Sequence, residues 1–576
     1  IQLIKIHKKG RKNMKKKYKN EKGITLVALV ITIIVLLILA TISIQSLTNT
    51  GLFGKAKEAK EKSENAKKNE QTILGQYVDE LNKQTSNEKY EKIKGVNKPE
   101  LMQGMKAIKF TDPTEDTEGT IEQVSDSTET DWYDYNAKKW ANTQTEDGSM
   151  WVWIPRYAYK VVYNDTSDKA KGGKFDIVFL IGTTDNYYDE NGNLQTAQRQ
   201  TSENEIIETD STKTDKYIVH PAFTNESSIN YANGGWNQEL TGIWVAKFEA
   251  GYATSNGNSA PKKASSVNYS QDTGWGNSPE TGTGSNGKIS ARNWIDGVYG
   301  STTTSVKYPT FQGLTYSMNY INHNDAFNIS RALTENGNIY GLSNNSTDSH
   351  LIKNSEWGAV IYLSQSKYGL NDINITTNNI NLNNTTKSVY AVTGCAGTTK
   401  GAYNTTISQI NNRALTDVYV WTQEKGTKAS TTGTIYGIYD MAGGTLERTA
   451  SYVNNGHNNL KYGKDFTFQG VSTKYATVYP HDPEKDNNNS SIEIARIANY
   501  SKNVKMYGDA IRETSKKGEG NTEWNSKLSN FMGFSDMFLC RGGDCFAGAS
   551  CGLFYIINNN GTSGFHTGFR SVLVSI

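Results

Sequence analysis

The sequence predicts an α+β protein in which one long N-terminal helix is followed by a strand-rich domain. Two observations carry this prediction. Residues 24–44 form an uncharged, mostly apolar run of about 21 residues, enough for one helical crossing of a bilayer. Farther along, aromatic and β-branched residues gather in short runs. The presence of 52 Gly and 33 Tyr against only 9 Pro favours a packed, loop-rich fold over a disordered chain.

The first element is a lysine-rich leader, residues 1–23. The stretch before Met14 resembles a translated purine-rich ribosome-binding sequence, so we expect synthesis to start at Met14. Lysines on this side of an apolar segment stay in the cytoplasm. The sequence therefore predicts a single-pass protein of the bacterial cell membrane and cell surface, with everything after Ile44 extracellular. A cleaved signal peptide is the alternative, but no small-x-small cleavage site flanks the end of the apolar run.

The junction KGITL (22–26) resembles the prepilin peptidase site of the type IV pilin family, and the resemblance covers residues 14–85. Cleavage in that family follows the Gly. The resemblance therefore makes Gly23 and Ile24 the processing residues and implies other pilin subunits as partners. Ile24 stands where Phe is usual, and Ala28 stands where pilins have a glutamate that sets subunit register. It thus implies an anchor at 24–44 more strongly than a filament.

Three segments precede the C-terminal domain. The sequence predicts a polar helical stalk at 45–84, a Thr- and Glu-rich linker at 85–131, and a β-rich segment or subdomain at 132–240. Runs of aromatic and β-branched residues predict strands at 150–163 and 174–182.

The last domain, 241–576, opens with a strand predicted at 241–252. A short amphipathic helix is predicted at 351–369, with Trp357 turned inward. Each segment alone is typical of an ordinary core element. Their order along the chain is more informative than any one of them.

Short motifs follow one another through this domain. They are WVAKFEA (244–250), NSEWGA (354–359), YDMAGGTLE (439–447), RGG (541–543) and GFR (568–570). Together they resemble the formylglycine-generating enzyme and sulfatase-modifying family, a variant of the C-type lectin fold. The resemblance spans about residues 240–576 and implies a C-type-lectin-like domain at 241–576.

The same family resemblance raises an enzymatic alternative, a copper-dependent oxidase of a peptide thiol. The family's copper-binding cysteine pair follows its glycine pair, and thiolates suit that soft metal. Cys545 and Cys551 stand near that place with different offsets, and Gly444 and Leu446 replace the usual Asn and Trp. The seven His are scattered, without metal-ligand spacing. The sequence therefore predicts no enzyme, no metal and no cofactor.

The segment from Cys540 to Ile576 contains no Glu, Lys, Gln, Met or Trp. Those are the residue types that a codon ending in a pyrimidine cannot encode. The segment resembles the variable region of proteins diversified by diversity-generating retroelements, with the variable part at 540–567. Such a resemblance implies fixed positions at Arg541, Gly542, Gly543, Gly548, Ala549, Gly552, Phe554, Gly568, Phe569 and Arg570.

The positions between these fixed residues are the predicted ligand-binding residues. They are Asp544, Cys545, Phe546, Ser550, Cys551, Tyr555, Asn558, Asn559, Asn560, Ser563, Phe565 and His566. A buried terminal region would also lack Lys and Glu, but the Asp and the run of Asn count against that explanation.

The predicted function is a surface-displayed adhesin or receptor with a diversified C-terminal binding surface. Its partner would be an unidentified protein or glycan of another cell, a phage or a host. A net charge of +3 gives no case for nucleic acid. The alternative within the same class is a structural minor pilin or pseudopilin.

Overall fold

A computed structural model gives the conformation of much of the chain. It describes residues 33–37, 60, 62–63, 96–125, 132–165, 167, 171–199, 217–225, 235–251, 309–315, 317–318, 321–371, 375–376, 378, 380–381, 391–397, 405–406, 419–467, 473–484, 492–503, 506–514, 524, 530–545, 551–562, 564 and 566–576.

The chain divides into two compact units, Ile1–Thr85 and Ser86–Ile576. In the first unit, residues 33–37 form a helical segment whose side chains are exposed. Gly23, Ile24 and the rest of the predicted apolar helix at 24–44 lie outside the described residues, as does most of the predicted stalk at 45–84.

The predicted transmembrane helix needs correction. A crossing requires about 20 consecutive helical residues. Within the part of the chain that the structure describes, no helix is both long enough and apolar enough to span a membrane. The predictions of a membrane-anchored, prepilin-type protein and of a cell-membrane location are therefore wrong on this finding.

The predicted α+β class with a long N-terminal helix is also wrong, because antiparallel strands make up most of the regular secondary structure of the described residues, and the described helices are short. Short aromatic and β-branched runs between Gly- and Asn-rich turns favour strands over long helices. In chain order the strands are β1 Lys106–Phe110, β2 Ile121–Gln123, β3 Asn142–Gln144, β4 Met150–Pro155, β5 Tyr157–Tyr163, β6 Gly173–Phe179, β7 Asn186–Tyr188, β8 Leu194–Thr196, β9 Ile218–Val219, β10 Gly242–Ala246, β11 Thr347–Leu351, β12 Ile380–Asn381, β13 Cys395–Ala396, β14 Thr405–Thr406, β15 Tyr419–Val420, β16 Leu446–Asn454, β17 Thr477–Pro480, β18 Phe538–Arg541, β19 Ile556–Asn559, β20 Thr567–Phe569 and β21 Ser571–Ser575.

The α-helices that the structure describes in the second unit are short. They are α1 His323–Arg331, α2 Asn354–Ser364, α3 Lys464–Thr467 and α4 Ile492–Lys502. Single 3-10 turns occur at Pro221–Phe223, Ala332–Thr334, Gly426–Ala429, Asn458–Gly463 and Thr473–Tyr475.

The main sheet has seven strands in the order β11-β21-β10-β4-β3-β1-β2, and every pair is antiparallel. All six residues of β4 are buried, and Trp153 lies opposite Trp244 of β10 with ring centroids 5.1 Å apart. Strands β1 and β2 of this sheet lie in the range 85–131, which was predicted to be a linker. The sheet also joins β3 and β4 to strands from after residue 240.

The second sheet carries the C-terminal segment. Its order is β17-β16-β18-β19, and β20 pairs with β16 in parallel. Strand β18 lies between β16 and β19 and is antiparallel to both. Residues 540–567 therefore begin inside this sheet in β18, return to it as β19, and return once more at the start of β20.

The strands predicted at 150–163, 174–182 and 241–252 are confirmed as β4, β5, β6 and β10. The short helix is confirmed as α2, but every residue of α2 is buried, so the prediction that this helix is amphipathic is wrong. The Glu356 carboxylate accepts from the backbone N–H of Lys353 at 2.8 Å, which caps the first turn. Trp357 is fully buried as predicted, and its Nε1 donates to the carbonyl of Leu553 at 3.1 Å.

Candidate ligand-binding surface

The described members of the predicted ligand-binding set lie between β18 and β20, where Asn558 and Asn559 belong to β19 and the others lie on the connecting segments. Phe546, Ser550, Ser563 and Phe565 lie outside the described residues. Of the others, five are partly exposed, namely Asp544, Asn558, Asn559, Asn560 and His566. Three are buried, namely Cys545, Cys551 and Tyr555. The predicted set therefore contains both residues that solvent reaches and residues that pack inside.

Several of these residues interact electrostatically with Asp544. Burial and then the Asp544 carboxylate raise the pKa of the Cys545 thiol. The same two causes, in the same order, raise the pKa of the Tyr555 phenol. Burial lowers the pKa of His566, and Asp544 opposes that change. Cys551 also acts on Cys545 and Tyr555, so the fold brings these residues close to Asp544.

The cysteines of this segment are free thiols. The Cys551 thiol donates to the backbone carbonyl of Asp544 at 2.9 Å, and the backbone N–H of Cys545 donates to the Gly444 carbonyl at 2.9 Å. Burial raises the pKa of Cys540 to about 11, which keeps that thiol protonated at neutral pH. Among the residues that the structure describes, no group of three or more His, Cys, Asp or Glu could hold a metal ion.

Two of the asparagines build the turn that they occupy. The Asn559 side-chain oxygen accepts from the Gly561 N–H at 2.8 Å, and that of Asn560 accepts from the Thr562 N–H at 3.0 Å and its hydroxyl at 2.7 Å. Side-chain oxygens of Asn commonly stabilise turns in this way. Gly561 has φ +92°, and a Cβ there would lie 2.6 Å from the Phe538 ring.

Arg448 holds this turn against the second sheet, a role that the sequence did not reveal. Its side chain is fully buried. The guanidinium donates to Asn559 Oδ1 and Thr567 Oγ1, both at 3.1 Å, and also to the Thr562 carbonyl. The Arg448 guanidinium also makes hydrogen bonds with the Ile321 carbonyl and His323 Nδ1, which hold it in place. The signal in the sequence is a charged pair, Glu447 and Arg448, inside a strand whose other residues are uncharged.

Three of the short motifs, at 244–250, 439–447 and 568–570, meet around Arg570. Its Nε donates to Glu447 Oε2 at 2.7 Å, and its Nη2 donates to Glu447 Oε1 at 2.5 Å. It also donates to the carbonyls of Ala246 at 2.9 Å and Tyr439 at 2.8 Å. One side chain thus joins the GFR motif to β10 and to both ends of YDMAGGTLE.

A second contact joins the RGG motif to helix α2. The guanidinium of Arg541 lies 5.7 Å from the Trp357 ring centroid and donates to Asn354 Oδ1 at 3.1 Å. Gly542 and Gly543 follow with φ +84° and +77°, a conformation that glycine adopts without strain. The segment therefore leaves β18 through a turn that specific residues fix.

A third contact lies beneath Cys545. The carboxyl of Glu249, which belongs to the motif WVAKFEA (244–250), accepts hydrogen bonds from the Thr445 N–H at 2.9 Å and from the hydroxyls of Thr445 and Ser317. Gly444 has φ +74°, and a Cβ there would lie 2.6 Å from Glu249 Oε1. Burial and then the neighbouring carboxylates raise the pKa of Glu249. The buried Glu249 and Thr445 thus support the backbone at Gly444, to which the Cys545 N–H is bonded.

No family model matches the chain, and no curated protein is significantly similar to it.

Proposed function

We propose that this chain is a ligand-binding protein whose residues 540–567 form a diversified recognition surface of the type made by diversity-generating retroelements. The observation that carries the proposal is the amino-acid content of 540–576, which lacks every residue type that a pyrimidine-ending codon cannot encode. The resemblances to such variable proteins and to the formylglycine-generating family remain predictions.

Burial alone does not account for this composition. Cores exclude Lys and Glu, yet Asp544, Asn558 and His566 are polar and partly exposed. Lys, Glu and Gln are among the commonest residues at such positions. Their absence beside exposed Asp, Asn and His fits a restriction in the codons better than a restriction from packing.

The distribution of buried residues supports a fixed scaffold with variable loops. The expected invariant residues Arg541, Phe554, Phe569 and Arg570 are buried, and both arginines are bonded to other motifs. Substitutions at exposed loop positions change stability little. A framework of this kind tolerates many sequences at positions such as Asn558 without losing its fold.

Burial reduces the number of predicted residues that can contact a ligand directly. Cys545, Cys551 and Tyr555 lie at most 5% exposed, so changes there alter packing first and ligand contact second. Asn559 and Asn560 use their side-chain oxygens within the turn. We therefore place direct ligand contact, among described residues, at Asp544, Asn558 and His566. Asn and aromatic side chains suit adaptable protein or glycan recognition.

Sequencing of the 3′ end of the gene across its source population tests this function. The expected result is substitution confined to codons 540–567, opposite adenines of a nearby template repeat. The matched control is the codons for 439–447, which belong to the same fold and should not vary. An invariant 3′ end without a repeat or a reverse-transcriptase gene nearby would overturn the proposal.

A further inference from the structure

Strand β2 gives the main sheet an open edge. In the part of the chain that the structure describes, β2 pairs with β1 alone, and all three of its residues are exposed. The Val124 N–H donates to the Ala107 carbonyl at 3.0 Å on the side that faces β1. Because bonding alternates along an antiparallel pair, the backbone groups of Ile121 and Gln123 point away from β1. An edge of this kind can pair with a strand of another chain.

A cleft of about 490 Å³ lies at the start of this strand. One wall is the connection between β1 and β2, residues 114–118, and the other comes from residues 419–425. The Gly119 N–H donates to the Thr422 carbonyl at 2.7 Å, and the Thr422 hydroxyl donates to Glu118 Oε2 at 2.7 Å. These two bonds hold the walls of the cleft together.

The cleft and the open edge are near each other. Glu118 lines the cleft and precedes Ile121 by three residues. Three residues of extended chain span at most about 10 Å. A segment that pairs with Ile121 and Gln123 can therefore place its next few side chains in the cleft.

The cleft is acidic. Its charged residues are Glu115, Asp116, Glu118, Glu424 and Lys425. Among the residues that the structure describes, none of the four carboxylates forms an ion pair, and the Lys425 ammonium lies over an aromatic ring of the wall, 5.2 Å from its centroid. A basic side chain therefore meets uncompensated negative charge there, whereas an anionic partner is repelled.

A second copy of the chain does not suit the open edge. Two β2 strands paired antiparallel about their centres would place Glu122 of one copy opposite Glu122 of the other. Like charges directly opposite each other destabilise a sheet. The charge of the site instead matches a basic segment of a different protein.

We propose that the open edge of β2 and the acidic cleft together bind an extended segment of a partner protein that contains lysine or arginine. The backbone of the segment pairs with Ile121 and Gln123, and a basic side chain enters the cleft. In strand addition of this kind, main-chain hydrogen bonds supply affinity and side-chain pockets supply specificity. The site uses no residue of 540–567, so this inference does not depend on the proposed recognition function.

Fluorescence anisotropy on the full chain tests this inference. The probe is a labelled octapeptide of alternating lysine and valine. One matched peptide has glutamine in place of lysine, and another has every backbone amide N-methylated. We expect the lysine peptide to bind at low salt and its affinity to fall as salt is added. The other two peptides should bind much more weakly, because one lacks the charge and the other lacks the N–H donors.

Two variants separate the cleft from the edge. The double variant Glu115→Gln, Asp116→Asn should weaken binding of the lysine peptide by about tenfold, which is about 1.4 kcal/mol. Gln123→Pro removes one outward N–H, which an edge strand tolerates, and should weaken binding by about fivefold. The matched control is the double variant Glu190→Gln, Glu484→Gln, which removes two exposed charges elsewhere and should bind as the unmodified chain does.

Equal affinity for the lysine and glutamine peptides would overturn the inference, as would undiminished binding of the N-methylated peptide. Loss of affinity in the control variant to the same extent as in Glu115→Gln, Asp116→Asn would also overturn it, because the attraction would then belong to the whole surface. If Gln123→Pro does not fold, the N-methylated peptide tests the edge on the unmodified chain.

Discussion

Arg570 and Glu447 form an ion pair in which neither side chain is exposed to solvent. Burial and then the Glu447 carboxylate act on the pKa of Arg570 in opposite directions, and the pKa is raised overall. The pair joins the last motif of the chain to the first residues of β16. Its position makes it a link between the C-terminal strands and β16, beside residues 540–567.

Breaking this pair should be costly. Arg570→Met leaves the Glu447 carboxylate buried without a partner, and the free energy of unfolding should fall by about 3–5 kcal/mol. Denaturant unfolding measures the change. The matched control is Lys139→Met, which breaks the exposed pair with Asp112 and should cost less than about 1 kcal/mol. Similar losses in both variants would contradict the assigned role.

Arg448→Met should loosen the turn at 559–567 in particular. The substitution removes the donor from the buried Ile321 carbonyl and Thr567 hydroxyl, so we expect a loss of about 2 kcal/mol or more. Hydrogen exchange should show faster exchange of the Gly561 and Thr562 amides than of the amides in β10. Uniform acceleration over the whole domain would show that Arg448 acts on global stability alone.

Gly568→Ala should destabilise the domain. A Cβ at Gly568 would lie 2.1 Å from Thr445 Oγ1 and 2.9 Å from the Met318 carbonyl, and neither neighbour can move freely. We expect a loss of about 1–3 kcal/mol, as for other overpacked cores. Gly564→Ala is the control, because its Cβ meets only the Thr567 side chain at 3.4 Å and the His566 ring at 3.8 Å. Thermal unfolding of both variants checks the prediction.

Stability should fall in acid through Asp348. Burial raises the pKa of this carboxyl, but His350, Arg331 and Tyr475 lower it more, so the folded pKa lies below 3.8. The unfolded state then binds more protons than the folded state at low pH. The contribution is complete above about pH 4 and is lost as pH falls below that value. Asp348→Asn should flatten the dependence of unfolding free energy on pH between about 4 and 2. An unchanged pH dependence of the unfolding free energy in this variant would contradict the assigned role of Asp348.

Local pattern was sufficient to predict several elements. Alternating aromatic and β-branched residues located β4, β5, β6 and β10, and the apolar run around Trp357 located α2. Strands β4 and β10 are buried along their whole length, and β6 alternates between buried and partly exposed residues. Both patterns can be recognised in a single sequence.

Other features depend on contacts between distant residues. Strand β2 is exposed at every residue, so the range that contains it resembled a linker. The burial of Cys545 and Tyr555 follows from β18 and β19 pairing inside a sheet, which the segment alone cannot show. Arg448 was missed for the same reason, because its acceptors lie more than 100 positions away along the chain.

The last strand, β21, lies inside the main sheet between β11 and β10. The ribosome must therefore pass through the whole of 540–567 before this sheet can close. A frameshift or stop codon introduced into that segment removes the strand and leaves the facing edges of β10 and β11 unpaired. A chain that loses the reading frame within 540–567 therefore lacks β21, and the complete main sheet requires an intact frame through that segment.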